Sequence, residues 1–157
     1  MALTVPPTPL VIALTQGGAD AFVQGSVLTG LSGRQAYSLK GIAFEMTSAF
    51  SAVTLTEYEV AVTRRSKAAM PLTSDSDVIV KLRFQQLTAG AAYFMIRDKA
   101  PIYWKPEFEV PIVEETIYAQ LDSAASAIVN SFIVRLDVEL DTMSDIDRLN
   151  LITRSLT

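Results

Sequence analysis

The sequence contains no cysteine and no histidine. Without cysteine there is neither a disulfide nor thiolate chemistry, so the fold does not depend on an oxidising compartment. Without histidine the commonest general base and metal ligand is missing, and an activated serine has no usual base. Charge is also scarce: of 157 residues, 19% are charged and 50% are hydrophobic, with a mean hydropathy of +0.30. A soluble monomer usually carries about 25% charged residues or more. The apolar excess therefore points either to a membrane or to surface covered by other copies of the chain. No window of about 18 uninterrupted apolar residues exists, so no transmembrane helix is expected. Aromatic residues reach only 8%, and charges fall on nearly every strand-like segment, unlike a membrane barrel with aromatic girdles. Cover by other copies is the reading that remains. The first residues lack a basic region and are interrupted by Pro6-Pro7-Thr8-Pro9, so no signal peptide is read there. With 13 basic and 17 acidic residues, nonspecific nucleic-acid binding by the whole surface is disfavoured.

What is present is a period of two. Phe132, Val134, Leu136, Val138 and Leu140 alternate with Ile133, Arg135, Asp137 and Glu139, which is the pattern of a strand with one apolar face. Thr142-Met143-Ser144-Asp145 follows with capping chemistry, and Ile146, Leu149 and Ile152 fall at helical spacing, so a short C-terminal helical segment is expected. Earlier strands are read at Leu10–Leu14, Ala21–Thr29, Tyr37–Thr47, Leu55–Arg64, Val78–Gln85, Tyr93–Ile96 and Ile117–Leu121. An extended, proline-limited segment carries Phe108, Val110 and Ile112. In the third strand, Tyr37 and Leu39 are out of phase with Ile42, Phe44 and Met46, so a β-bulge is placed near Lys40-Gly41. Asp122–Ser131 reads as a loop of small and polar residues, with at most a turn or two of helix. Turn signals every ten residues or so, with a long Arg64–Asp77 connection, predict an all-β, eight-stranded jelly-roll or Greek-key β-sandwich. Residues 1–15 form an extended N-terminal arm with a short edge strand, and 16–157 form a single jelly-roll domain.

Candidate chemistry is thin. Glu57 with Glu59, and Glu107 with Glu109, share a strand face if those strands are regular, and paired carboxylates can serve glycoside hydrolysis. An outward charged face that discourages edge pairing is the simpler reading. Asp75 and Asp77 could ligate Ca²⁺, but the calcium-loop positions for Gly and Glu hold Val80 and Gln86. Arg64, Arg65 and Lys67 are the one basic cluster and the candidate nucleic-acid contact. Tyr103-Trp104, between Pro101 and Pro106, could form an aromatic platform for a sugar or could anchor core or subunit contacts. Neither a phosphate loop nor a nucleophile elbow is present. Enzymatic activity, a cofactor and a metal are all unexpected.

The layout resembles the small single jelly-roll capsid proteins of icosahedral viruses, including uncultivated environmental ones. The residues that carry it are the neutral, proline-bearing arm, the series of strands, and the final run Ser131–Leu140 leading into Ser144-Asp145-Ile146-Asp147-Arg148-Leu149-Asn150-Leu151. The resemblance implies a coat subunit that self-associates through loops and arms, with a virion as its location and a second coat protein as a further partner. Pro6, Pro7, Pro9, Leu10, Val11 and Ile12 would then be the subunit-contact arm. Many such proteins carry an Arg/Lys-rich arm, whereas Met1–Thr15 has no charged side chain. Either another protein packages the genome or the inner surface contacts it weakly. The alternative is an oligomeric carbohydrate-binding or adhesin-like sandwich that uses Tyr103 and Trp104.

Overall fold

The computed structural model describes residues 9–48, 55–87, 102–142 and 144–156. Its centre is β9 (Ser131–Thr142), which alternates as its sequence dictates. Phe132, Val134, Leu136 and Val138 are buried, and Arg135 and Glu139 are exposed. β1 (Leu10–Thr15) pairs antiparallel with one edge of β9 and β3 (Gln35–Met46) with the other. The far edge of β3 takes two short pieces, β6 (Ile102–Trp104) and β7 (Pro111–Ile112). Pro106 lies between them, and a proline cannot donate to the ladder. Together they fill one strand position, so the nine strands among the described residues make eight positions. The second sheet runs β2 (Val23–Leu28), β8 (Thr116–Ala124), β4 (Leu55–Thr63) and β5 (Val78–Leu87) in that order, again antiparallel.

The pairs are nested. β4 meets β5, β3 meets β6 and β7, β2 meets β8, and β1 meets β9. The chain is thus folded in half at the β4–β5 connection and then rolled, so that alternate pairs enter alternate sheets. This is the double Greek key of a jelly roll. The core lies between the two sheets. Tyr58 from β4 meets Phe132 from β9 across it, ring centroids 6.0 Å apart and tilted by 53°, a pairing worth roughly 0.5–1.5 kcal/mol beyond its buried area. At one corner β2 passes close to β1. A side chain at Gly25 would come within 2.8 Å of Ile12 and 3.1 Å of the Ala13 carbonyl, so this position has room only for glycine.

The β3–β9 register shifts between Leu39 and Gly41, where the sequence placed its bulge. The slip by one residue lets Leu39 and Ile42 both face the core. On the second sheet, Ala61, Thr63 and Gln120 alternate with core residues yet are also fully buried. The connection 64–77 folds back over that outer face. Lys67 N donates to Gln24 Oε1 (2.6 Å), Gln120 Nε2 donates to Gln24 Oε1 (3.0 Å) and Thr63 Oγ1 (2.7 Å), and Lys81 Nζ donates to the Pro71 carbonyl (3.0 Å).

Helix α1 (Asp145–Leu156) follows β9. Ser144 Oγ accepts from Asp147 N (3.2 Å) and donates to Asp147 Oδ2 (2.6 Å), a cap of the kind the sequence announced. No helix among the described residues is long and apolar enough to cross a membrane.

Candidate functional site

Pro6 and Pro7 lie outside the described residues, as does the expected strand Tyr93–Ile96. Pro9 is exposed, just ahead of β1. Leu10, Ile12 and Leu14 are core residues of their own sandwich, whereas Val11 is 48% exposed. β1 is the edge strand that the sequence implied, but its Leu10 and Ile12 are turned inward by the period of two and belong to the sandwich, not to an arm. Of the described arm residues, Pro9 and Val11 are the ones whose side chains are exposed.

The basic cluster does not converge on a ligand surface. Arg64 Nη1 donates to the Pro111 carbonyl (2.8 Å) and to both oxygens of Glu114 (3.0 Å each). Lys67 Nζ sits 2.8 Å from Asp77 Oδ2 and 3.6 Å from Asp75 Oδ2. The Asp77 hydrogen bond, with the charges of Asp77 and Asp75, outweighs burial and raises the Lys67 pKa. Arg65 is exposed and its carbonyl accepts from Thr63 Oγ1 (2.7 Å). Arg64 and Lys67 therefore stand beside three carboxylates, Glu114, Asp75 and Asp77. Asp75 and Asp77 act as the counter-ions of a lysine. No group of three or more carboxylates among the described residues is arranged to hold a metal ion.

The first carboxylate pair is real but occupied. Glu57 and Glu59 lie on the outer face of β4, where Arg83 approaches Glu59 Oε1 at 2.7 Å and Lys81 approaches Glu59 Oε2 at 3.4 Å. Asp122 is the cross-strand neighbour of Glu59. Burial pushes the Asp122 carboxyl up, and the charges of Glu59 and Asp20 add to this against the lowering by its Ser123 N–H bond. A shallow cavity of about 150 Å³ opens here, lined by Glu57, Glu59, Arg83, Asp122, Ser123 and Ala124. Glu107 and Glu109 are exposed in the non-strand segment between β6 and β7, so they share no strand face.

Tyr103 and Trp104 point to opposite sides of β6. Trp104 packs against the core, and Tyr103 is 46% exposed on the outer face. The Tyr103 ring lies flat across Gly41, where a Cβ would collide with it. Its hydroxyl donates to Asp137 Oδ2 (3.2 Å), and Arg135 Nε holds the other oxygen of Asp137 (3.2 Å). Partial burial and the Asp137 hydrogen bond raise the phenol pKa. Adjacent residues in a strand face opposite ways, so the two aromatics form no common platform.

One buried polar network, in which Asn130 Oδ1 itself finds no hydrogen-bond partner, was not visible as such in the sequence. Gln16, Ser123, Ser126 and Asn130 are all buried at one end of the sandwich. Asn130 Nδ2 donates to Gln16 Oε1 (2.9 Å), Ser126 Oγ (2.9 Å) and the Ile128 carbonyl (3.3 Å). Gln16 Nε2 reaches Ser123 Oγ (2.9 Å), which donates to Asp20 Oδ1 (2.9 Å). Asp20 and Ala125 flank the network with φ of 58° and 60°, a conformation costing roughly 1–2 kcal/mol in a residue with a Cβ. The network locks the β1–β2 and β8–β9 connections together.

On α1, Ile146 and Leu149 are 72% and 62% exposed, and Ile152 is 36% exposed. Leu28 and Phe108 are more exposed still, at 75% and 80%. No protein-family model matches the chain, and no curated protein matches it.

Proposed function

We propose that the chain is a structural subunit that assembles with copies of itself into a closed shell, as a viral coat protein does. One observation carries this reading. A sandwich with a complete core of its own still exposes Val11, Leu28, Leu72, Phe108, Leu140 and, on α1, Ile146 and Leu149. A monomer in water gains nothing from such surface, whereas a subunit buries it against neighbours. Contacts would pass through the edge strands, the loops and the outer faces of the sheets. The pairing of Arg64 and Lys67 with carboxylates supports weak or no direct nucleic-acid contact by this region, and a second coat protein is the partner that would fill that role.

The test is the size of the purified protein in low and high salt, by light scattering and negative-stain microscopy. Uniform shells tens of nanometres across are the expected result. A monodisperse monomer or small oligomer under every condition overturns the proposal.

A further inference from the structure

We infer that the 64–77 connection is a strap that lifts off the outer face of the second sheet while the sandwich beneath it stays folded. The strand register sets a row of outward side chains under it. Gln24 on β2 lies opposite Gln120 on β8, Gln120 opposite Ala61 on β4, and Ala61 opposite Lys81 on β5. The strap is tied at the two ends of this row. On the β2 side Lys67 N donates to Gln24 Oε1 (2.6 Å) and Gln24 Nε2 donates to Ser66 Oγ (2.9 Å). On the β5 side Lys81 Nζ donates to the Pro71 carbonyl (3.0 Å). In the middle of the row Ala61 and Gln120 are fully buried.

Three observations make this strap poised to open. Its ties to the sheet are hydrogen bonds that water can replace, and Pro71 is the one residue of 64–77 that is buried. Segments with few buried apolar contacts open locally, ahead of the whole fold. Closing the strap also has a cost. Gln120 Oε1 is sealed beneath it with no hydrogen-bond donor, and water would satisfy that acceptor once the strap lifts. Finally, the base is pinned on its own. Arg64 N donates to the Asp77 carbonyl (2.9 Å) and Val78 N to the Asp75 carbonyl (3.1 Å). The Lys67–Asp77 ion pair is internal to the strap and need not break. A compact loop whose ends are held together can detach without disturbing the strands it joins. Opening therefore turns the β2–β8–β4 outer face from covered to accessible with no change of fold.

The absence of cysteine makes this directly readable. A61C places a single thiol under the strap and V134C places one in the core of β9, both at fully buried positions. With dithiobis(nitrobenzoic acid) added to the full chain, A61C should react at least about ten-fold faster than V134C, at a rate flat across low urea. The V134C rate should climb steeply with urea, because that thiol is reached through global unfolding. In the A61C background, Q24A removes both ties on the β2 side and should raise the rate several-fold. Q120M removes the unpaired acceptor and should lower it several-fold. Equal rates with equal urea dependence at A61C and V134C overturn the strap. An A61C rate that Q120M leaves unmoved overturns the part assigned to Gln120 Oε1. Hydrogen exchange on the unsubstituted protein reads the same opening. The Lys67 amide should exchange at a rate that low urea leaves unchanged, while the Val134 amide follows global unfolding. If the two amides share one urea dependence, the strap does not open alone.

Discussion

Replacing Asn130 by aspartate exchanges one NH₂ for one oxygen and leaves side-chain volume almost unchanged. The Nδ2 group it removes donates to Gln16 Oε1, Ser126 Oγ and the Ile128 carbonyl at 2.9, 2.9 and 3.3 Å in a fully buried site. The serine hydroxyl can turn its proton toward a carboxylate only by giving up its own bond to the Ile128 carbonyl (2.8 Å). Gln16 Oε1 and the Ile128 carbonyl are acceptors only and would face a negative charge. Gln16 Oε1 keeps the Asn130 backbone N–H (3.0 Å) and the Ile128 carbonyl keeps the Ser126 hydroxyl (2.8 Å). The cost is that of one carboxylate set among acceptors, and N130D should lose about 1–3 kcal/mol of a typical domain's 5–15 kcal/mol. Protonating the new carboxyl restores one donor, so its folded pKa must lie above the ordinary aspartate value. The sign follows: the penalty is full above the folded pKa and shrinks as pH falls through it, by at most about 1.4 kcal/mol per pH unit. N130A removes the same donors without a charge and should show a loss that does not vary with pH. Urea unfolding followed by emission of the single tryptophan, Trp104, from pH 4.5 to 8 measures both. An N130D loss below about 1 kcal/mol at pH 7, or one that is flat with pH, refutes the reasoning.

Gly41→Ala should destabilise the protein by about 1 kcal/mol because its methyl displaces the Tyr103 ring, yet stabilise a Tyr103→Ala background by about 0.5–1 kcal/mol through the lower entropy of alanine in a strand. A double-mutant cycle reads the change of sign, and equal effects in both backgrounds would remove the contact from the account. For Lys67, whose pKa is raised above the ordinary 10.5, the stability difference between the wild type and Lys67→Met should be full below that value. It should then disappear as pH rises through the higher folded value. Thermal unfolding between pH 9 and 11.5 tests this, and a constant difference contradicts the ion pair.

Legibility followed the period of two. The strand at Phe132–Leu140, the bulge at Lys40-Gly41 and the cap at Ser144 are local signals: alternation, a phase slip beside glycine, and a hydroxyl three residues before a carboxylate. Each survives folding unchanged. What depended on distant residues did not show. Arg64 looked like part of a cationic patch because its partner Glu114 is fifty residues away. Nothing local says that residues 64–77 fold over Ala61 and Gln120, which are fully buried on the outer face. Residues 122–131 read as loop because small polar residues facing inward at a strand end resemble a turn. β8 in fact continues to Ala124, and the cue was there in Ser123 and Ser126 flanking two alanines. Tyr103 and Trp104 are adjacent in sequence, yet a strand's own alternation separates neighbours.

The nesting of the pairs also governs the order in which the molecule can form. β9 lies between β1 and β3, so the middle of the first sheet is the last strand to leave the ribosome. Until residues 131–142 emerge, the apolar faces of β1 and β3 have no strand to join them, and each remains an open edge. Bringing Leu10 to Leu136 closes a loop of more than a hundred residues, and topologies dominated by such pairings fold in milliseconds to seconds, not microseconds. Synthesis in a crowded cell therefore passes through a window in which the half-made sheet is a template for other chains. The scarcity of charge, 19% of residues, makes that window hazardous, and rapid capture of β9 shortens it.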